Sequence, residues 1–266
     1  MRLESKVRCL LFCLLLTVSA IGGLGCTILG GSSEGSSEDV IQLGDSWAPE
    51  EKEGLTPVNE LDFPCDVSNL APGIDLELLR DLGLYHLDLV NADRAYFEAE
   101  SDGATALVWN DTLWVVALCH AQDMCQRDYF SHYSPEGDDV GDRIEEVTTQ
   151  SKWSWGENLA YSWSSWINNQ SGFDVFLTVV AVHHNGYMDE CQCTEGCASG
   201  KIAGHRTNIL NPDFTDVGIG EWYCEEDGAM FNTQVFWRTD LGKAKSNPYC
   251  SNGFTADPPE PWTTAP

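Results

Sequence analysis

By type, the side chains of this chain with most chemistry to offer are its 11 cysteines and 6 histidines. Cys191, Cys193 and Cys197 follow closely on His183 and His184, a run of thiols and imidazoles that zinc could use. Oxidation is the competing chemistry, and an exported chain favours disulfides over metal. Cys9 and Cys13 fall in an N-terminal apolar run and Cys26 just after it. That leaves Cys65, Cys119, Cys125, Cys191, Cys193, Cys197, Cys224 and Cys250, an even set that could pair completely in any of many connectivities. Cys119 and Cys125 lie on a segment with helical spacing, where six residues span about 9 Å, beyond the ~7 Å reach of a disulfide. Each needs a distant partner or stays reduced. His120 falls on the apolar stripe of the same segment and reads as a buried, hydrogen-bonded core histidine. The chain has no Gly-rich phosphate loop, His-Glu-x-x-His helix or Gly-x-Ser-x-Gly elbow.

The chain has 266 residues, with 14 Lys+Arg against 42 Asp+Glu and a net charge of -28. Such a surface repels phosphate backbones, so no nucleic-acid partner is expected. It also disfavours adsorption onto anionic lipid, so membrane attachment must come from something apolar. Arg2, Lys6 and Arg8 precede the apolar run from Cys9 to Ile21, the layout of a secretory signal. Gly23-Leu24-Gly25-Cys26 resembles a lipobox, which makes Cys26 the candidate lipid anchor. An uncleaved anchor over the uncharged stretch to Gly31 and plain secretion are the alternatives. All three place the rest of the chain outside the cytoplasm, in the cell envelope (periplasmic or cell-surface) or extracellular.

Residues 1–25 are therefore expected to be the signal, 26–70 an acidic, Gly/Ser-rich tether, 71–250 the folded domain and 251–266 a Pro-rich tail. The chain's 42% hydrophobic residues and 10 Trp suffice for a substantial core. The spacing of Leu79, Leu82, Leu87 and Val90 predicts a first helix running to about Glu100, kinked near Gly83. A second is predicted after an N-cap at Asn110 or Asp111, and a third over Phe173 to His184. Tyr129 to Asn169 reads as loop. Thr215 to Tyr223 and Ala229 to Arg238 read as an antiparallel hairpin turning at Glu225 to Gly228.

Four ordered segments resemble one family. They are Leu89-Val90-Asn91-Ala92-Asp93-Arg94; His120-Ala121-Gln122-Asp123-Met124 leading to Tyr129-Phe130-Ser131-His132; Gly156-Glu157-Asn158-Leu159-Ala160; and Gly204-His205-Arg206-Thr207-Asn208-Ile209-Leu210. Together with the strand Phe214 to Gly220, they are similar to the bacterial form of the CAP superfamily, or SCP domain, of cysteine-rich secretory, antigen 5 and pathogenesis-related 1 proteins. The resemblance covers about Asp75 to Arg238. It implies an α+β fold, a three-layer α-β-α sandwich with a mainly antiparallel sheet, and a cleft holding two His and up to two acids. Carried over by motif, His132, Glu157 and His205 take three of those places, with Glu190 as the candidate fourth.

Two imidazoles and a carboxylate from separate loops suit zinc with one position open for water. The same groups could act as acid and base without metal, or serve only as a structural hydrogen-bond network. The family resemblance implies no single enzyme activity. The reading that follows is a binding module for a lipid or other envelope ligand, or for another extracellular protein. A metal-dependent hydrolase using His132, Glu157 and His205, and a structural envelope protein, are the alternatives. Trp153, Trp155, Trp163 and Trp166 flank the Gly-Glu-Asn motif and read as packing rather than as a groove wall. The segment from Cys191 to Lys201 is a candidate lid or partner-binding protrusion.

Overall fold

The computed structural model describes residues 54–98, 101–150, 154–163, 173–190 and 204–238. The signal, Cys26, the cysteines at 191, 193, 197 and 250, the segment Cys191 to Lys201, Trp153, Trp166 and the Pro-rich tail lie outside them. The described elements are α1 (Leu76–Tyr96), β1 (Val108–Trp109), α2 (Asp111–Gln126), α3 (Val140–Val147), β2 (Trp155–Trp163), α4 (Phe173–Met188), α5 (Gly204–Ile209), β3 (Asp216–Cys224) and β4 (Ala229–Trp237). The strands form one sheet in the order β1-β3-β4-β2. β3, β4 and β2 are antiparallel neighbours, while the two-residue β1 runs parallel to β3. The sheet is therefore mixed through its shortest strand, and α+β is the fold class.

Helices cover both faces of the sheet. On one, Leu113, Val116 and Ala117 of α2 pack with Val140 and Ile144 of α3 against Val235 and Trp237. On the other, Leu87 and Val90 of α1 and Tyr187 and Met188 of α4 pack against Val217, Ile219 and Phe236. This is the expected three-layer sandwich. With both faces covered, β4 is buried at every residue, the polar Asn232, Thr233 and Gln234 included, so it shows no apolar–polar alternation.

Close approach sets the layer spacing. A Cβ on Gly218 would lie 2.0 Å from the Trp114 backbone nitrogen, and one on Gly220 would lie 2.3 Å from that of Leu118. Helix α2 can rest on β3 only because these positions carry no side chain. Gly83 plays the same part on the other face, where a Cβ would meet the Ile219 carbonyl oxygen at 2.3 Å. The helix is not interrupted there, and α1 runs unbroken from Leu76 to Tyr96. The glycine is used for contact.

Asn110 caps α2 as expected, its side chain accepting from the Leu113 amide. The Leu-Val-Asn-Ala-Asp-Arg motif turns out to organise loops. Asn91 bonds both backbone polar groups of Leu107. Buried Arg94 donates to the carbonyls of Thr105, Ile209, Asn211 and Phe214, and burial lowers its guanidinium to about 10.

Residues 54–70, expected within the tether, instead lie against the domain. Cys65 is bonded to Cys119, Phe63 meets Trp114 edge-on, and the Arg80 guanidinium donates to the Thr56 carbonyl. The mainly polar, Pro-interrupted composition hid this docking, because the few apolar side chains that reach the core, Val58, Leu61, Phe63 and Leu70, follow no regular period. Cys125 pairs with Cys224, so both helix thiols find distant partners, and the pairs belong to an oxidising compartment. The stretch Tyr129 to Asn169, expected as loop, contains α3 and β2. The α3 start is marked by an Asp139–Asp142 capping box, an acidic variant of the usual Ser/Thr-x-x-Glu.

Replacing Gly218 with Ala should push α2 off β3 and lower unfolding stability by about 3 kcal/mol. Urea denaturation will measure this, and the same substitution at exposed Gly186 serves as control.

Candidate functional site

The site is built around the edge strand β2, whose successive side chains point to opposite faces. Glu157 faces the α2–α3 layer and Asn158 faces the α1–α4 layer, and each engages one of the expected histidines.

On the first face, Glu157 Oε1 accepts from His132 Nδ1 at 2.8 Å, and Oε2 accepts from Arg143 Nη2 at 2.5 Å. Arg143 comes from α3. It also donates to the carbonyls of His132 and Asp138, so one guanidinium holds both the acid and the loop that delivers the imidazole. Beneath that loop, buried His120 bonds the Ser131 carbonyl through Nε2. Burial, opposed in part by Glu157, lowers His120 to about 4, which keeps it neutral. It is the core histidine expected from its helical position. For Glu157, burial pushes the carboxyl up, but the charge of Arg143, then His120 and the His132 bond, outweigh it and hold the group below the usual carboxylate range. An ionised carboxylate is thereby kept in a nearly inaccessible position, with 3% side-chain exposure against 49% for His132.

On the second face, Glu190, two residues past α4, accepts the backbone N–H groups of His205 and Arg206. It also accepts from His205 Nδ1 at 2.7 Å. One acid therefore satisfies amides at the start of α5 and orients its imidazole. Burial pushes the Glu190 carboxyl up, but the His205 bond and charge outweigh it and lower the group overall. The Tyr187 ring lies 4.7 Å from that of His205. Asn158 donates to the His205 carbonyl, and Asn208 donates to the Glu157 carbonyl and the Asn158 side chain. The Gly-His-Arg-Thr-Asn-Ile-Leu motif is thus laced to β2. Tyr187 lies close to both acids: burial first, then the charges of Glu221, Glu157 and Glu190, raise its hydroxyl well above the ordinary value.

The structure therefore gathers His132, Glu157, His205 and Glu190 around one end of β2 as two imidazole–carboxylate pairs. Both oxygens of Glu157 are engaged by side chains. Among the described residues, no three His, Cys, Asp or Glu side chains lie close enough to hold a metal ion. The three-ligand zinc set is not assembled in this geometry, because the acids stand behind the imidazoles rather than beside them. What is present is the support usual for a metal-binding His, Nδ1 held by a carboxylate, with Nε2 making no bond among the described residues.

His183 and His184 face the interior, on Ser162 and Asp93, turned to polar partners in the core. Trp163 packs on the core, whereas Trp155 is 41% exposed. Reasoning from residue types missed Arg143, Tyr187 and a buried histidine, His86. A signal for Arg143 existed in the scarcity of cations, 14 against 42 acids, since a buried acid must recruit one of so few.

A sequence profile of the CAP family, the cysteine-rich secretory protein family, matches residues 87–237. The chain belongs to that family. The uncharacterized membrane protein YlbC of Bacillus subtilis is 30% identical over 134 residues, covering 50% of this chain and 30% of YlbC. The chain thus spans under a third of that relative's length. An extracellular SCP-domain protein from Bacillus anthracis matches with a TM-score of 0.42 at 23% identity, covering 63% of this chain and 45% of that one. A crystal structure of NaASP2 with Zn2+ matches with a TM-score of 0.39 at 13% identity, covering 63% of this chain and 83% of that one.

Glu157→Gln should leave Arg143 without its charge partner and cost about 3 kcal/mol. A carboxyl lowered on folding contributes stability that is complete above its unfolded value and is lost as pH falls through the folded one. The variant should therefore flatten part of the acid limb of the stability curve and change nothing in its alkaline limb, as read by thermal melts across pH.

Proposed function

We propose that this is an exported, lipid-anchored CAP domain that acts as a cell-envelope binding module through the paired imidazoles His132 and His205. The observation that carries this reading is the matched construction of the two pairs. In each, a carboxylate fixes Nδ1 while the imidazole stays partly exposed, 49% for His132 and 33% for His205. A carboxylate on Nδ1 selects the tautomer whose Nε2 accepts, which suits a hydrogen-bond donor on a ligand or a divalent metal. A metal here would be held through the exposed Nε2 of an imidazole and complete its shell with water or with an envelope ligand such as a lipid headgroup. The net charge of -28 favours cation uptake near the cleft. Attachment through Cys26 would hold the domain at the membrane surface.

The hydrolase alternative asks Glu157 to be a ligand or a general base. Its oxygens are held by His132 and Arg143, and a carboxyl lowered by a guanidinium is a weak base at neutral pH. Binding therefore fits the site better than proton abstraction.

Calorimetric titration of the full-length protein with Zn2+ tests the cleft. His132→Ala and His205→Ala should each weaken binding at least about tenfold, while His120→Gln, away from the ligand-facing nitrogens, should change it much less. Zn2+ binding that is absent, or untouched by both alanine variants, would remove the metal from the reading. Mass spectrometry of protein taken from its native membrane tests the anchor: a Cys26 without acyl mass overturns it, and any co-purified lipid names the ligand.

A further inference from the structure

His86 of α1 is completely buried and makes no hydrogen bond to His132, Glu157, His205 or Glu190. Both its ring nitrogens are nevertheless engaged, and both lead to His205. The Gln234 amide donates to His86 Nε2 at 2.9 Å. Gln234 in turn accepts from Asn158 at 2.9 Å, and the same Asn158 amide donates to the His205 carbonyl. On the other side, His86 Nδ1 donates to Glu221 Oε1 at 2.9 Å. That oxygen also accepts from Asn232, whose carbonyl accepts the Tyr187 hydroxyl at 2.7 Å. The Tyr187 ring then lies between the two imidazoles, stacked on His86 with centroids 6.2 Å apart and tilted by 43° against His205.

We infer that His86 is the positioning residue of the cleft, fixing the His205 backbone through Gln234 and Asn158 and the His205 ring through Glu221, Asn232 and Tyr187. This rests on the binding role proposed for His205. The bond pattern allows only the neutral Nδ1–H imidazole, since one nitrogen must accept while the other donates. Burial first, then the neighbouring His184 and His183, push His86 well below its ordinary value, in keeping with that form. The surroundings are otherwise polar and closed. His183 Nδ1 lies 3.9 Å from Glu221 Oε2, and the His184 ring meets that of His86 edge-on. Burial raises the Glu221 carboxyl well above its ordinary value despite its Asn232 bond.

Amide side chains can imitate the imidazole one nitrogen at a time, and the test uses that. His86→Asn retains a donor near the δ position, His86→Gln retains an acceptor near the ε position, and His86→Ala retains neither. Ring resonances of His205 and His132 are followed by nuclear magnetic resonance in the metal-free full-length protein. The expected result is that His86→Ala moves the His205 resonances and leaves those of His132 in place, with partial restoration in the Asn and Gln variants. Ile144→Ala, in the opposite helical layer, should lower stability to a similar degree and leave the His205 resonances in place, while disturbing those of His132 through Arg143. Zn2+ affinity should fall about tenfold in His86→Ala, the effect of losing a positioning partner. Unmoved His205 resonances in folded His86→Ala, or an equal displacement in Ile144→Ala, overturn the inference. If no His86 variant folds, Gln234→Leu and Asn232→Leu cut the two chains separately and are judged by the same resonances. Because those signals are read without metal, a wild type that binds no Zn2+ removes the metal from the reading of the cleft and leaves the positioning result to stand or fall by itself.

Discussion

A carboxylate that cannot reach water must have its charge answered inside the protein, and Glu157 on β2 is the group around which this fold is arranged. Removing it from water costs several kcal/mol even after relaxation. Arg143 supplies the charge and His132 a hydrogen bond. Arg143 can reach Glu157 only because α3 packs through Val140 and Ile144 against Val235 and Trp237. The acid, the helix that brings its cation and the imidazole it orients are therefore one unit.

Alternation along β2 gives that unit its second half. Asn158, one residue on, faces the other layer and joins the His205 loop to Gln234. Edge position matters here, since an edge strand leaves loops from both layers free to reach its end. The hydrogen-bonded pairing of β2 with β4, from Trp155 opposite Trp237 to Trp163 opposite Ala229, fixes the register. A slip of one residue would exchange Glu157 and Asn158 between faces and break both imidazole pairs.

Layer spacing is set elsewhere, by backbone contact at Gly218 and Gly220 under α2 and at Gly83 against β3. Two disulfides reinforce it from the same helix, Cys119 to the N-terminal segment and Cys125 to the end of β3. Closing loops of these lengths contributes about 4 kcal/mol each in the chain-entropy account. A domain with so acidic a surface repels itself, and covalent ties of this kind offset that repulsion.

The amino-acid sequence by itself indicated three helices, the first expected to run to about Glu100 and the third only to His184, together with the hairpin of the last two strands and the four family segments, because these depend on local periodicity and short motifs. It also singled out His132, Glu157, His205 and Glu190 through resemblance. It did not reveal β2, whose polar residues are buried on both faces and so show no alternation, nor the docking of residues 54–70, whose few apolar side chains, Val58, Leu61, Phe63 and Leu70, meet the core without a regular period. The pairing of each acid with its imidazole, the choice of Arg143 as counter-charge and the reach of His86 toward His205 were decided only in three dimensions. These are interactions between residues far apart in the chain, and hydrogen-bond partners are selected by the register and spacing of packed layers, which no local pattern encodes.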